Sequence, residues 1–136
     1  MERIPILKMG EFLLVTIQVD LYDQLAENLA SDLINMVKKT GASGVLIDIS
    51  AVSIIDSFMG RILGNIASMS KIMDAETVVV GMQPAVAITL IELGLPLKGV
   101  YSALDVEKGM DLLRSKISFV QEDTDTDDYD FDSEQG

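Results

Sequence analysis

The chain contains no cysteine and no histidine, and these absences exclude several kinds of chemistry. Without cysteine there is neither a disulfide nor a thiolate nucleophile, which fits a cytoplasmic protein. Without histidine the chain lacks the commonest general base and the commonest metal ligand. We therefore expect no metal and no other cofactor.

Long apolar runs and basic clusters are also missing from the sequence. No run reaches the ~18 residues that a membrane-spanning helix needs, and residues 1–8 do not resemble an export signal. No part of the chain has the basic patch that binds nucleic acid or anionic lipid. We expect a cytoplasmic protein that binds neither membrane nor nucleic acid.

The negative charge is concentrated at the C-terminal end. The net charge is −12 over 136 residues, and residues 118–136 hold eight acids and no base. Residues 1–117 hold the other 14 acids against 10 bases, a net charge of −4. We predict a folded domain over 1–117 and a disordered acidic tail over 118–136. The tail lacks the spacing and the glycine of an EF-hand loop.

Hydrophobic periodicity predicts an α/β fold with the element order β-β-α-β-α-β-α-β-α. Strands are expected at residues 4–8, 11–19, 44–49, 76–81 and 99–101. Helices are expected at about residues 22–40, 58–73, 84–93 and 104–117. Strands that alternate with helices indicate a mixed, mostly parallel sheet with helices packed on it.

Small residues repeat at four-residue spacing along the second predicted helix, at Gly60, Gly64 and Ser68. A glycine inside a helix costs about 1 kcal/mol relative to alanine. We therefore expect another backbone to approach this stripe closely.

The segment Ile55-Asp56-Ser57-Phe58 places one hydroxyl where a strand gives way to a helix. The simplest interpretation is that Ser57 is the N-cap of that helix, since serine is among the best caps. A hydrolase nucleophile would need Gly-x-Ser-x-Gly and a histidine, and both are missing. A phosphoacceptor needs only exposure and a kinase, and this role is compatible with capping. Asp56 would repel a phosphate there, so phosphorylation would perturb this corner of the molecule, the junction of strand and helix at residues 55–58.

Other candidates for chemistry have simpler structural interpretations. Asp48 lacks the acidic pair and the lysine of an aspartyl-phosphate receiver, so a carboxylate that caps the next loop is favoured. Gly41 and Gly44 precede a strand, whereas the glycines of a phosphate loop follow one. Thr89 falls inside a predicted helix, where a hydroxyl that bonds back to a carbonyl of its own helix is favoured.

Several segments of the chain together resemble a STAS domain, and more narrowly the RsbS-type antagonist of bacterial stressosomes. The segments are Ile4-Pro5-Ile6-Leu7-Lys8, Leu13-Leu14-Val15, Gly44-Val45-Leu46-Ile47-Asp48, Ile55-Asp56-Ser57-Phe58, Met69-Ser70-Lys71 and residues 81–94. The similarity covers residues 4–117. The combination of Gln-Pro-Ala-Val-Ala with Ile-Asp-Ser-Phe is its most specific part.

This resemblance implies a non-enzymatic protein that works by partner switching. RsbS-type proteins assemble into a large complex with sensor-bearing STAS paralogues of the RsbR type, and they hold a serine switch kinase of the RsbT type inactive. On stress the kinase phosphorylates the STAS subunits and leaves to activate its output. The acceptor serine of the family falls on Ser57. The second acceptor of the sensor-bearing paralogues falls on Thr89, a weaker candidate here.

By proximity to Ser57, four residues are candidates for contact with the kinase: Asp56, Phe58, Met59 and Arg61. An alternative is a freestanding anti-sigma factor antagonist, regulated by the same serine phosphorylation. A third hypothesis, a small nucleotide-binding or hydrolytic domain, is disfavoured by the missing histidine and the missing phosphate loop. The acidic tail has no counterpart in the resemblance.

Overall fold

The computed structural model describes residues 3–18, 21–94, 97 and 99–117. Its elements are β1 (Ile6–Met9), β2 (Phe12–Thr16), α1 (Asp23–Thr40), β3 (Gly44–Asp48), α2 (Ser57–Ile72), β4 (Glu76–Val80), α3 (Pro84–Glu92) and β5 (Val100–Ala103). A last helix, α4, follows over residues 106–117. The predicted order of elements is confirmed. The predicted acidic tail, 118–136, lies outside the described residues.

The five strands form one sheet in the order β1-β2-β3-β4-β5. The β1–β2 pair is antiparallel and the other three pairs are parallel, as the mixed, mostly parallel prediction required. The helices α1, α2 and α3 each connect adjacent parallel strands in the same direction. Because such crossovers are right-handed, these three helices lie on one face of the sheet.

Alternate residues of the strands contribute to two hydrophobic cores, one on each face of the sheet. On the face of α1–α3, residues such as Val45, Ile47 and Val79 pack with side chains of the three helices. On the opposite face, Leu46 and Val78 pack with side chains of α4. That second core comprises Phe12, Leu46, Val78, Val80 and Leu113. Four of the five residues of β3 are buried, as expected of a central parallel strand.

Two glycines allow α4 to lie close to the sheet. A Cβ atom on Gly109 would come within 2.6 Å of Leu46 Cδ2 and 2.7 Å of Val80 Cγ1. A Cβ atom on Gly44 would come within 2.7 Å of Leu113 Cδ1. The absence of a side chain at both positions therefore fixes the distance between α4 and the sheet.

The predicted close approach of a backbone to the small residues of α2 was wrong at Gly64. In the described ranges, the nearest atom to a Cβ placed on Gly64 belongs to the Leu97 side chain, at 4.0 Å, and Ser68 is exposed. The four-residue spacing places these small residues on one face of α2, but spacing along one helix carries no information about what packs against that face.

Several element boundaries differ from the prediction by one or two residues. The strand β4 ends at Val80 because Gly81 has a φ of 73°, which leaves the extended conformation. Asp105 precedes α4, and its Oδ1 accepts a hydrogen bond from the Lys108 amide at 2.8 Å, so α4 begins after it. The predicted stop of α1 is confirmed, since Gly41 is left-handed with a φ of 68°.

Candidate functional site

Ser57 follows the carboxyl end of β3, on the side of the sheet where the parallel strands end. The loop that leads to it follows Asp48, the last residue of β3, whose Oδ1 accepts a hydrogen bond from the Ser50 amide at 2.9 Å. The Ile49 amide donates to the carbonyl oxygen of Val80 at 3.0 Å and continues the pairing of β3 with β4. The predicted role of Asp48 as the cap of its loop is confirmed.

The segment before α3 holds the same loop from the other side. The Gln83 side-chain amide donates to the carbonyl oxygen of Ser50 at 2.9 Å. Gly81 packs beside it, since a Cβ atom there would lie 2.7 Å from Ser50 Cβ. Sequence reasoning assigned Gln83 no role, because no local pattern indicates a contact across 33 residues.

Two adjacent isoleucines before Ser57 face in opposite directions. Ile55 is only 4% exposed and belongs to the core under α1–α3, so it anchors the start of α2. Ile54 is 85% exposed and leaves an apolar side chain on the surface three residues before Ser57. The sequence did not single out Ile54, since two neighbouring isoleucines do not indicate which one is buried.

The residue that caps α2 is Asp56, not Ser57. Asp56 has extended backbone, with φ −116° and ψ 177°, and its Oδ1 accepts a hydrogen bond from the Met59 amide at 2.9 Å. The prediction that Ser57 is the N-cap was therefore wrong by one residue. A carboxylate caps as well as a hydroxyl, and its charge also suits the positive end of the helix dipole.

This shift leaves the Ser57 hydroxyl without a capping role. Ser57 occupies the first position of α2 and is half-buried. Within the described part of the chain, the Ser57 hydroxyl makes no hydrogen bond. The Asp56 carboxylate accepts a hydrogen bond from the Met59 amide, and the Asp56 carbonyl oxygen accepts one from the Gly60 amide. The hydroxyl can therefore react without loss of the cap.

The neighbours of Ser57 differ in what they offer to a partner. Phe58 is half-buried and packs against the core, while the Met59 side chain is buried and leaves little surface. Arg61 is exposed one turn further along α2. Phe58 and Arg61 also border a groove of about 490 Å³ between α1 and α2. The groove is lined by Glu27, Ala30, Ser31, Phe58, Arg61, Ile62, Asn65 and Met69.

Thr89, the second candidate acceptor, is bonded within its own helix. Its Oγ1 donates to the carbonyl oxygen of Ala85 at 2.9 Å, and the residue is half-buried. The predicted back-bond is confirmed. Pro84 stands at the start of α3, also as predicted, with Gln83 as the residue before the helix.

Among the described residues, no group of three or more acidic side chains is arranged to hold a metal ion. The acids at this corner, Asp48 and Asp56, instead accept hydrogen bonds from backbone amides. In the same part of the chain, none of the helices combines the length and the apolar character needed to cross a membrane.

The chain belongs to the STAS domain family, whose model matches residues 3–104. A serine-to-glutamate variant of RsbS from Moorella thermoacetica is 35% identical, with a TM-score of 0.75 over 85% of this chain and 97% of that one. A chain of the stressosome, described as a signal integration and transduction hub, is 37% identical, with a TM-score of 0.73 over 83% and 98%. The resemblance to RsbS-type antagonists is confirmed.

One curated relative is a considerably longer protein. The RsbT co-antagonist protein RsbRA of Bacillus subtilis (strain 168) is 27% identical over 85 residues, which are 62% of this chain and 31% of RsbRA. The chain thus spans less than a third of the length of that relative. The anti-sigma factor antagonist SpoIIAA in its unphosphorylated form, 12% identical with a TM-score of 0.67, shares the fold.

Proposed function

We propose that this chain is a non-enzymatic scaffold subunit of a cytoplasmic stressosome, which docks a serine switch kinase and releases it when Ser57 is phosphorylated. The observation that carries the proposal is the state of the Ser57 hydroxyl. It stands at the first position of α2, and the cap that it would otherwise provide comes from Asp56. A free hydroxyl on a rigid element suits a site that another protein modifies.

The comparisons support the choice of partners. The likeness to RsbS and to a chain of the stressosome favours assembly into a large complex. The likeness to RsbRA, a co-antagonist of RsbT, favours an RsbR-type paralogue as the neighbouring subunit and an RsbT-type kinase as the docked protein. The RsbS relative carries a glutamate in place of a serine, and a glutamate has part of the negative charge of a phosphoserine.

The reaction is a phosphoryl transfer in which this chain is the acceptor. The Ser57 Oγ attacks the γ-phosphorus of ATP bound to the kinase, and the new O–P bond forms as the bond to ADP breaks. The hydroxyl proton passes to a base of the kinase, as in other phosphoryl transfers by kinases. The fold contributes the position of the hydroxyl.

Phosphorylation would weaken docking through charge. A phosphoserine carries about −1.5 to −2 charges at neutral pH, and here it would stand beside the Asp56 carboxylate. Phe58, Arg61 and the exposed Ile54 share this corner and are the proposed contacts of the kinase. A dianion next to a partly apolar contact surface is costly to desolvate, so the bound state is destabilised.

The test is to incubate the chain with its switch kinase and ATP and to map the phosphate by mass spectrometry. We expect a single phosphate on Ser57, none on the Ser57→Ala variant, and unchanged labelling of Thr89→Ala. A unique phosphate at any other residue would overturn the assignment.

The size of the assembly separates the stressosome subunit from a freestanding anti-sigma factor antagonist. Mixed with the sensor-bearing paralogue, the chain is expected to elute as a very large particle. Species that remain small in the mixture would favour the freestanding antagonist instead.

A further inference from the structure

We infer that Arg61 binds the phosphoryl group on Ser57 after transfer, and that this contact withdraws its guanidinium from the groove between α1 and α2. The inference rests on the proposed phosphorylation of Ser57. The two residues are four positions apart on one helix, with Ser57 at its first position. Side chains at this spacing are neighbours on the same helix face, with Cβ atoms about 5–6 Å apart.

Arg61 is available for such a contact because no described residue forms an ion pair or a side-chain hydrogen bond with it. Three ion pairs join described residues, and Arg61 takes part in none of them. The other base of α2 is Lys71, which lies at the opposite end of the helix and binds Glu76 at 2.9 Å. On α2, therefore, Arg61 is the base within reach of a phosphate on Ser57.

The acids around Arg61 do not compete strongly with a phosphate. Glu27 lies on the groove wall formed by α1, but no ion pair joins it to Arg61. Asp56 uses its carboxylate to cap the Met59 amide at 2.9 Å, which also keeps that amide from a phosphate. A phosphate dianion carries more charge than either carboxylate, and a guanidinium can bind two of its oxygens at once.

The contact would change the groove between α1 and α2 as well as the surroundings of Ser57. Before phosphorylation, the lining of the groove includes the basic residue Arg61 on α2 and the acidic residue Glu27 on α1. When Arg61 turns towards the phosphate, the groove keeps Glu27 and loses its positive charge. A carboxylate of the kinase that pairs with Arg61 in the docked complex would lose that partner, so release has a second cause beside the added charge.

The experiment uses chain with phosphoserine incorporated at position 57 during synthesis, so that no kinase is needed. The second pKa of the phosphate is measured by ³¹P NMR titration in the wild type, in Arg61→Gln and in Lys71→Gln. Because a nearby cation favours the dianion, Arg61→Gln is expected to raise this pKa by about half a unit, a roughly threefold change in proton affinity. Lys71→Gln removes the same charge from the far end of α2 and should leave the pKa unchanged.

Equal pKa values in the wild type and in Arg61→Gln would overturn the inference, as would an equal shift in Lys71→Gln. The Arg61→Lys variant is expected to give an intermediate pKa, since lysine keeps the charge and loses the two-point contact. A kinase that fails to modify Ser57 would contradict the proposed function and leave these pKa values as they are. The two claims can therefore fail separately.

Discussion

The Gln83 side-chain amide donates a hydrogen bond of 2.9 Å to the carbonyl oxygen of Ser50, 33 residues earlier in the chain. The bond joins the segment that begins α3 to the loop that begins α2. The same loop is fixed on its other side by the Asp48 carboxylate at 2.9 Å. The position of Ser57 therefore depends on contacts from two strand ends and not on its own helix alone.

Replacing Gln83 by alanine should loosen this loop. The Ser50 carbonyl oxygen would lose its donor, and we expect the free energy of unfolding to fall by about 1 kcal/mol. Hydrogen exchange of the amides in residues 50–56 should accelerate. Gln24→Ala is the matched control, because among the described residues that exposed side chain bonds only to Asn28, one turn away on α1. Loop exchange rates equal in the wild type and Gln83→Ala would contradict this account.

Substitutions at Asp56 separate its hydrogen bond from its charge. Asp56→Ala removes the acceptor of the Met59 amide and should lower the free energy of unfolding by about 1 kcal/mol. Asp56→Asn keeps an acceptor and should cost no more than a few tenths of a kcal/mol. Denaturant unfolding measures both changes. If the alanine and asparagine variants are equally stable, Asp56 is not the cap.

Two helical glycines should respond oppositely to the same substitution. Among the described residues, the methyl group of Gly64→Ala would approach only the Leu97 side chain, at 4.0 Å, so the better helix propensity should stabilise the protein by up to about 1 kcal/mol. Gly109→Ala would bring a methyl group within 2.7 Å of Val80 Cγ1, and we expect a loss of about 1–3 kcal/mol. Thermal unfolding of the two variants is the measurement. A stabilised Gly109→Ala would show that α4 does not lie so close to the sheet.

The features that could be predicted from the sequence are those set by local chemistry. Pro84 at the start of α3 and Gly41 at the end of α1 follow from backbone geometry that only nearby residues determine. The apolar run of β3 and the hydroxyl back-bond of Thr89 are local in the same sense. The recognisable motifs around Ser57 also led to the correct family.

The features that escaped prediction depend on residues distant in the chain. Asp56 and Ser57 are both good caps, and residue type alone does not say which of them caps the helix; the Ile55 that precedes them is packed in the core. The contact of Gln83 with Ser50 and the close packing of Gly109 on the sheet have no periodic signal. Each arises only when the strands have paired and brought these segments together.

The affinity of the switch kinase for the chain before and after phosphorylation tests the central claim most directly. Unphosphorylated chain and chain with phosphoserine at position 57 are titrated against the kinase under the same conditions. A Ser57→Ala sample treated with kinase and ATP serves as the control and should bind like the unphosphorylated chain. We predict that phosphoserine weakens binding at least tenfold, about 1.4 kcal/mol. Equal affinities of the phosphorylated and unphosphorylated chains would contradict the account.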